Sequence, residues 1–81
     1  MNIEEKVKEI LFKLCGEEIT DTEVELQADL ALDSMMMVAL LIEIEEEFSV
    51  ELDESDMNPF DLVTVKNVID LAEKYAGGRN E

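Results

Sequence analysis

Near the start of the chain, apolar residues recur every three or four positions and predict a helix from about Ile3 to Cys15. Asn2 precedes this stretch and Glu5 follows three residues later, a spacing that resembles a capping box. Gly16 stands where a helix C-cap is expected. The apolar positions of this helix are Ile3, Val7, Ile10, Leu11 and Leu14.

A second helix is predicted from about Ser34 to Phe48, with Asp33 as its N-cap. Its core-facing stripe consists of Met37, Leu40, Leu41, Ile44 and Phe48. Further apolar residues lie outside that stripe: Met35, Met36, Val38, Ala39 and Ile42. Either a small bundle wraps the helix and buries them, or they form a surface for docking partners next to Ser34. Methionine suits such a surface because its flexible side chain adapts to several partners.

Residues 17–32 show no sustained apolar period and predict a long loop, with Leu26, Leu30 and Leu32 as anchors to the core. Loops of this length in small domains are often functional. A later connection predicts a turn of helix between Asp53 and Asn58.

Thr64 is predicted to cap a last helix, which Gly77 and Gly78 end. We expect Phe12 to be a core residue and Phe60 to pack the connecting segment against the helices. The inner face of the last helix consists of Val65, Val68, Ile69, Ala72 and Tyr75.

The pattern contains no β signature, no repeat and no sign of a second domain. It predicts an all-α fold, a small antiparallel four-helix bundle with a long first loop and a short third helix. We expect residues 1–81 to form one domain, with residues 78–81 as a frayed tail.

Charge narrows the choice of partners. The 81 residues include 22 acidic and 6 basic ones, for a net charge of −16. Such a surface repels the phosphates of nucleic acids and of anionic membranes, so neither is an expected partner. It favours monomeric behaviour and protein partners with basic patches.

Cys15 is the single cysteine, so no intramolecular disulfide can form, which fits a reducing compartment. The first residues lack the basic start and apolar core of a signal peptide, and no apolar segment has membrane-spanning length. The sequence therefore predicts a cytoplasmic location.

Ser34 is the best candidate for chemistry. It follows Asp33 at a helix start, where unpaired N–H groups and the positive end of the helix dipole would favour a phosphate ester on its hydroxyl. The plainer interpretation is an ordinary polar residue in a first turn.

Catalysis by Ser34 itself is not expected, so the chain is not predicted to be an enzyme. The sequence has no histidine, and its lysines lie in the predicted terminal helices. We expect no metal site, because Asp53, Ser55 and Met57 do not fit a calcium loop. Ser34 is better interpreted as a serine that another enzyme modifies.

The segment Asp29-Leu30-Ala31-Leu32-Asp33-Ser34-Met35 resembles the phosphopantetheine attachment signature of acyl carrier proteins, D-L-G-x-D-S-L. The resemblance continues through Glu45-Glu46-Glu47-Phe48, Val50-Glu51-Leu52 and Thr64-Val65. It implies that a phosphopantetheinyl transferase moves 4′-phosphopantetheine from coenzyme A to Ser34. Asp33 would cap the helix and contribute to the transferase contact.

Three departures from the family pattern bear on the pathway. Ala31 replaces the usual glycine, and Met35 the usual leucine. Met36 and Ala39 stand where fatty-acid-synthesis carriers generally have acidic residues that contact basic patches on synthases. The docking face is therefore apolar, which is more similar to D-alanyl and peptidyl carriers.

The resemblance thus implies a carrier that holds acyl or aminoacyl intermediates as thioesters for a loading ligase or transferase and for downstream enzymes. The departures favour a specialised or secondary pathway, including polyketide or nonribosomal biosynthesis. Two alternatives stay open, a housekeeping carrier of fatty acid synthesis and an acidic helical interaction adaptor that is never modified.

Overall fold

Three α-helices form where the apolar pattern predicts them. The structure is a computed structural model, which describes residues 2–76 of the chain. The helices are α1 (Ile3–Cys15), α2 (Ser34–Phe48) and α3 (Val65–Tyr75). Across the described residues there is no β-strand, and one isolated bridge pairs Glu25 with Thr64. The predicted all-helical class is confirmed.

Local side-chain chemistry fixes the helix ends. The Asn2 side chain accepts a hydrogen bond from the Glu5 N–H at 2.8 Å, which caps α1. Gly16 ends α1 in the left-handed conformation, with φ of 74°, a conformation that glycine adopts without a side-chain clash. At the start of α3, Thr64 and Asn67 cap each other reciprocally.

The core collects side chains from all three helices and from the connecting segments. Burial of each valine, leucine, isoleucine or methionine side chain among them stabilises the fold by about 1.5–3 kcal/mol relative to exposure. The buried helical residues are Val7, Ile10, Leu11, Met37, Leu40, Leu41, Ile44, Val65, Val68, Ile69, Leu71 and Ala72. The buried residues outside the helices are Ile19, Leu26, Leu32, Leu52 and Leu62.

The predicted long first loop is present and is held against the start of α3. The Leu26 N–H donates to the Val63 carbonyl at 2.8 Å, and the Val65 N–H donates to the Val24 carbonyl at 3.0 Å. The side chains of Leu26 and Leu32 are buried in the core. The loop therefore delivers the chain to the start of α2 from a fixed position.

Between α2 and α3 the chain makes two 3₁₀ turns, Glu54–Asp56 and Pro59–Asp61, where a short third helix was expected. The first turn confirms the helical turn predicted between Asp53 and Asn58, and the Asp53 side chain caps it. No continuous α-helix forms there, because Pro59 lacks the N–H that an interior helical position would donate.

A hydrogen-bond network joins the first 3₁₀ turn to the end of α3. The Tyr75 hydroxyl donates to an Asp56 carboxylate oxygen and accepts from the Asp53 N–H at 3.0 Å. The Lys74 ammonium lies 2.9 Å from the same Asp56 oxygen. The Tyr75 ring is half-buried against the core, as the sequence predicts.

Two predictions for aromatic residues are wrong. Phe12 is 53% exposed, because it lies about 100° around α1 from Leu11, which faces the core. Phe60 is 74% exposed in the second 3₁₀ turn, and Leu62 is the nearby residue that enters the core. The predicted helix end at Gly77 and Gly78 and the predicted tail lie outside the described residues.

In the range 2–76, none of the helices combines the length and the apolar character that crossing a membrane requires.

Candidate functional site

Ser34 is the first residue of α2 and is exposed. The preceding residue, Asp33, has extended backbone angles, and its carboxylate accepts a hydrogen bond from the Met36 N–H at 2.9 Å. Asp33 is thus the cap of α2, as predicted, and Ser34 is not needed for that purpose. Within residues 2–76 the Ser34 hydroxyl has no hydrogen-bond partner, so it is available to another molecule.

The backbone at the start of α2 adds two further donors. The third and fourth N–H groups of α2 are already paired with Asp33. The Met36 N–H donates to the Asp33 side chain, and the Met37 N–H donates to the Asp33 carbonyl at 2.9 Å. The N–H groups of Ser34 and Met35 have no acceptor within the described part of the chain. No acidic residue lies in the first turn of α2. An anion attached at Ser34 would therefore meet unpaired donors and the positive end of the helix dipole.

The turn before Asp33 is held by short-range hydrogen bonds. The N–H groups of Asp29 and Leu30 both donate to the Glu25 carbonyl, at 3.0 and 3.1 Å. The Asp29 carboxylate in turn accepts from the Glu25 N–H at 2.9 Å. These bonds explain why an aspartate opens the signature segment, since its side chain closes the turn.

Ala31 adopts a φ of 60°, in the left-handed region that favours glycine. The signature of the similar family has glycine at this position, which was the sequence signal for the conformation. In this chain an alanine occupies the left-handed position. The left-handed conformation costs an alanine about 1–2 kcal/mol.

The structure divides the apolar residues predicted to surround Ser34 into two groups. Met35, Val38 and Ile42 are exposed, at 82%, 45% and 45%, and form a continuous stripe along α2. Met36 and Ala39 are half-buried, and Met36 packs against the core. We call Met35, Val38 and Ile42 the apolar face of α2. It begins directly beside Ser34.

Two glutamates of α2 form ion pairs with lysines of α1. Glu47 lies 2.8 Å from Lys6, and Glu43 lies 3.6 Å from Lys13. The hydrogen bond and the positive charge of Lys6 lower the pKa of Glu47. In the part of the chain that the structure describes, no three acidic or cysteine side chains are grouped to hold a metal ion.

Comparison with known proteins gives a match over most of the chain. Residues 5–72 match the family model described as phosphopantetheine attachment site. The chain is 36% identical over 77 residues to the acyl carrier protein of Desulforapulum autotrophicum, covering 91% of this chain and 97% of the relative. It is 36% identical over 76 residues to that of Buchnera aphidicola subsp. Baizongia pistaciae, covering 91% and 95%. It is 38% identical over 74 residues to that of Nitratidesulfovibrio vulgaris strain DP4, covering 86% and 92%.

Proposed function

Since the chain belongs to the acyl carrier protein family, whose prosthetic group is 4′-phosphopantetheine, we propose that Ser34 is the residue that carries this group. The observation that supports this assignment is the exposed Ser34 hydroxyl, which has no partner within residues 2–76 and lies at the start of α2. The attached group supplies a terminal thiol that holds cargo as a thioester.

The residues around Ser34 fit a phosphodiester. Asp33 satisfies the Met36 N–H, so the anion would not have to compete for that donor. The unpaired N–H groups of Ser34 and Met35 could donate to phosphate oxygens, and the helix dipole would stabilise their charge. We propose that Asp33 orders this first turn and also contacts the phosphopantetheinyl transferase.

The protein is, on this proposal, a carrier and not an enzyme. It holds acyl or aminoacyl intermediates for a loading ligase or transferase and for downstream biosynthetic enzymes. The residues support this division of labour, because the chain has no histidine to activate Ser34. We further propose that the protein is a single domain located in the cytoplasm. A net charge of −16 opposes self-association and supports a monomer.

We propose that the fold is the antiparallel four-helix bundle of this family, with the two 3₁₀ turns in place of the short third helix. Two ion pairs support opposite directions for α1 and α2. Lys6, early in α1, meets Glu47, late in α2, whereas Lys13 meets Glu43. Residue numbers thus increase along α1 in the direction in which they decrease along α2.

A specialised pathway is the preferred assignment within the family. Fatty-acid-synthesis carriers generally have acidic residues at the positions of Met36 and Ala39, and both residues are apolar here. The neighbouring apolar face of α2 would therefore dock a partner enzyme through an apolar patch. The exposure of Met35, Val38 and Ile42 supports this proposal. A housekeeping carrier of fatty acid synthesis is the second candidate, favoured by the high net negative charge that steers basic partners.

Incubation with coenzyme A and a broad-specificity phosphopantetheinyl transferase, followed by intact-mass measurement, tests the carrier proposal. Wild type should gain one phosphopantetheine, and Ser34→Ala should gain none. Ser55→Ala is the matched control, because Ser55 is also an exposed serine at a helical start capped by an aspartate, Asp53. It should be modified like wild type. No mass gain in folded wild type would contradict the proposal and favour the unmodified adaptor.

The docking proposal is tested by measuring the Michaelis constant of the phosphopantetheinyl transferase with this protein as its substrate. Met35→Glu should raise this constant about tenfold while leaving the melting temperature unchanged, because Met35 is exposed. Val63→Glu is the control, since Val63 is a 50% exposed apolar residue outside α2. Equal effects of the two substitutions would refute docking through the apolar face of α2.

A further inference from the structure

A surface groove of about 650 Å³ lies on the side of α1 that faces away from the core, next to the first loop. Its apolar part comes from Phe12, which is 53% exposed, and from Ile19, which is 6% exposed. None of its lining residues belongs to α2 or to the turn that carries Ser34. The groove is therefore separate from the attachment site.

The charges around the groove are unbalanced. Its two lysines are each paired with a carboxylate outside the groove: Lys8 lies 3.0 Å from Glu4, and Lys13 lies 3.6 Å from Glu43. The glutamates of the groove form no ion pair with any described residue. These glutamates are Glu5, Glu9 and Glu18. The groove thus offers an apolar floor with a rim of three glutamates and two lysines, whose net charge is negative.

We propose that this groove is a second docking surface, which binds a basic amphipathic helix of a partner protein. The apolar side of that helix would cover Phe12, and its lysines or arginines would meet the rim glutamates. From Glu5 to Lys13 the groove follows about two turns of α1, or about 12 Å, which suits about two turns of a partner helix.

The charge also excludes other occupants. A second copy of this chain would bring another net charge of −16 to a negative rim. An acyl chain could use the apolar floor but would gain nothing from Glu5 and Glu9. A basic amphipathic helix uses both properties. The groove would let one protein hold the carrier while other enzymes reach Ser34.

A designed peptide supplies the probe, independently of any cognate partner. It has fourteen leucine and lysine residues in helical periodicity, is fluorescently labelled and is titrated by anisotropy. An all-lysine peptide of equal length controls for charge alone. The leucine–lysine peptide should bind at least tenfold more tightly than the all-lysine peptide, and chemical shifts should change around Phe12 and Ile19. Ser34→Ala should bind it like wild type, so this result does not depend on the attachment site.

Matched substitutions separate the apolar floor from the rim. Phe12→Gln should weaken peptide binding about tenfold, whereas Val38→Gln, on the apolar face of α2, should not change it. Glu5→Gln with Glu9→Gln should weaken it about threefold to fivefold. The control for this pair is Glu46→Gln with Glu54→Gln, which removes two negative charges at exposed positions outside the groove.

Circular dichroism melts of each variant verify that it is folded before binding is compared. The proposal is overturned if shifts centre on Met35 and Val38, if the all-lysine peptide binds as tightly as the leucine–lysine peptide, or if Phe12→Gln binds like wild type.

Discussion

At the residue scale, Asp33 caps α2 and Ser34 provides an exposed hydroxyl, two roles that a single residue at a helix start often combines. Asp33 caps α2 through the Met36 N–H, and among residues 2–76 the hydroxyl of Ser34 has no hydrogen-bond partner. An exposed hydroxyl in this position can be modified without loss of a fold-stabilising contact. The sequence predicts both roles, because an aspartate followed by a serine and an apolar run marks the start of a helix.

Asp33→Ala should destabilise the protein by about 1 kcal/mol, because the Met36 N–H loses its acceptor. Asp33→Asn is the control, since an asparagine side chain can still accept that hydrogen bond and should cost less. Urea unfolding measures both free energies. Equal stability of Asp33→Ala and wild type would contradict the assigned cap.

A substitution at Ala31, whose backbone is strained, is expected to raise the stability of the protein. Ala31→Gly should stabilise the protein by about 0.5–1 kcal/mol, because relief of the left-handed strain exceeds the added freedom of the unfolded chain. Ala28→Gly, in the same loop but without a positive φ, should destabilise it instead. The free energy of unfolding in urea distinguishes the two. A loss of stability in Ala31→Gly would show that the turn carries no such strain.

Phe12 marks a limit of sequence reasoning at this scale. Its aromatic side chain suggests the core, but the phase of α1 already places Val7 and Leu11 inside and Phe12 outside. The helical phase therefore predicts an exposed Phe12, and the prediction from residue type alone is wrong. What the sequence could not reveal is the groove beside Phe12, because Ile19 reaches it from a loop without periodicity.

At the element scale, the connection between α2 and α3 was the hardest part to predict. Pro59 signals an interruption, but the sequence does not say that the segment is fastened through Tyr75 and Asp56, which are nineteen positions apart. Contacts between residues so distant in sequence leave no periodic signal. The helices, by contrast, follow from local patterns and caps: α1 and α2 have the predicted bounds, and α3 begins after Thr64 as predicted.

The Tyr75–Asp56 contact makes stability depend on pH. The hydrogen bond from Tyr75, followed by that from Lys74, lowers the pKa of Asp56 below its ordinary value of 3.8. Because the pKa is depressed in the folded state, the ionised carboxylate stabilises the fold above the unfolded pKa. That contribution is lost as the pH falls through the folded pKa.

Asp56→Asn should therefore be less stable than wild type at about pH 6, and this difference should shrink as the pH is lowered from about 4 towards 2. Asp61→Asn controls for the removal of one charge, since the Asp61 carboxylate makes no hydrogen bond or ion pair within residues 2–76. Urea unfolding at a series of pH values gives the comparison. A difference that stays constant, or grows on acidification, would disprove the role of ionised Asp56.

At the scale of the whole molecule, negative charge opposes compaction. A net charge of −16 is held within a radius of gyration of 11.6 Å. The Debye length falls from about 30 Å at 0.01 M salt to about 3 Å at 1 M, so added salt screens the repulsion across the molecule. The same repulsion is weaker in the expanded unfolded chain, so screening favours the folded state.

The melting temperature should accordingly rise with sodium chloride between these concentrations, by on the order of 5 °C for each kcal/mol of relieved repulsion. Differential scanning calorimetry measures it, and potassium chloride should give the same rise, because the effect comes from screening. An unchanged or lower melting temperature would mean that self-repulsion does not limit stability.

The central claim, that the Ser34 hydroxyl is the tether for 4′-phosphopantetheine, is tested most directly by locating the modification on the chain. Wild type is incubated with coenzyme A and the transferase, digested, and sequenced by tandem mass spectrometry. The account predicts fragment ions that place the added mass on Ser34 and leave Ser49 and Ser55 unmodified. Fragment ions that place the added mass on either of those serines would contradict it.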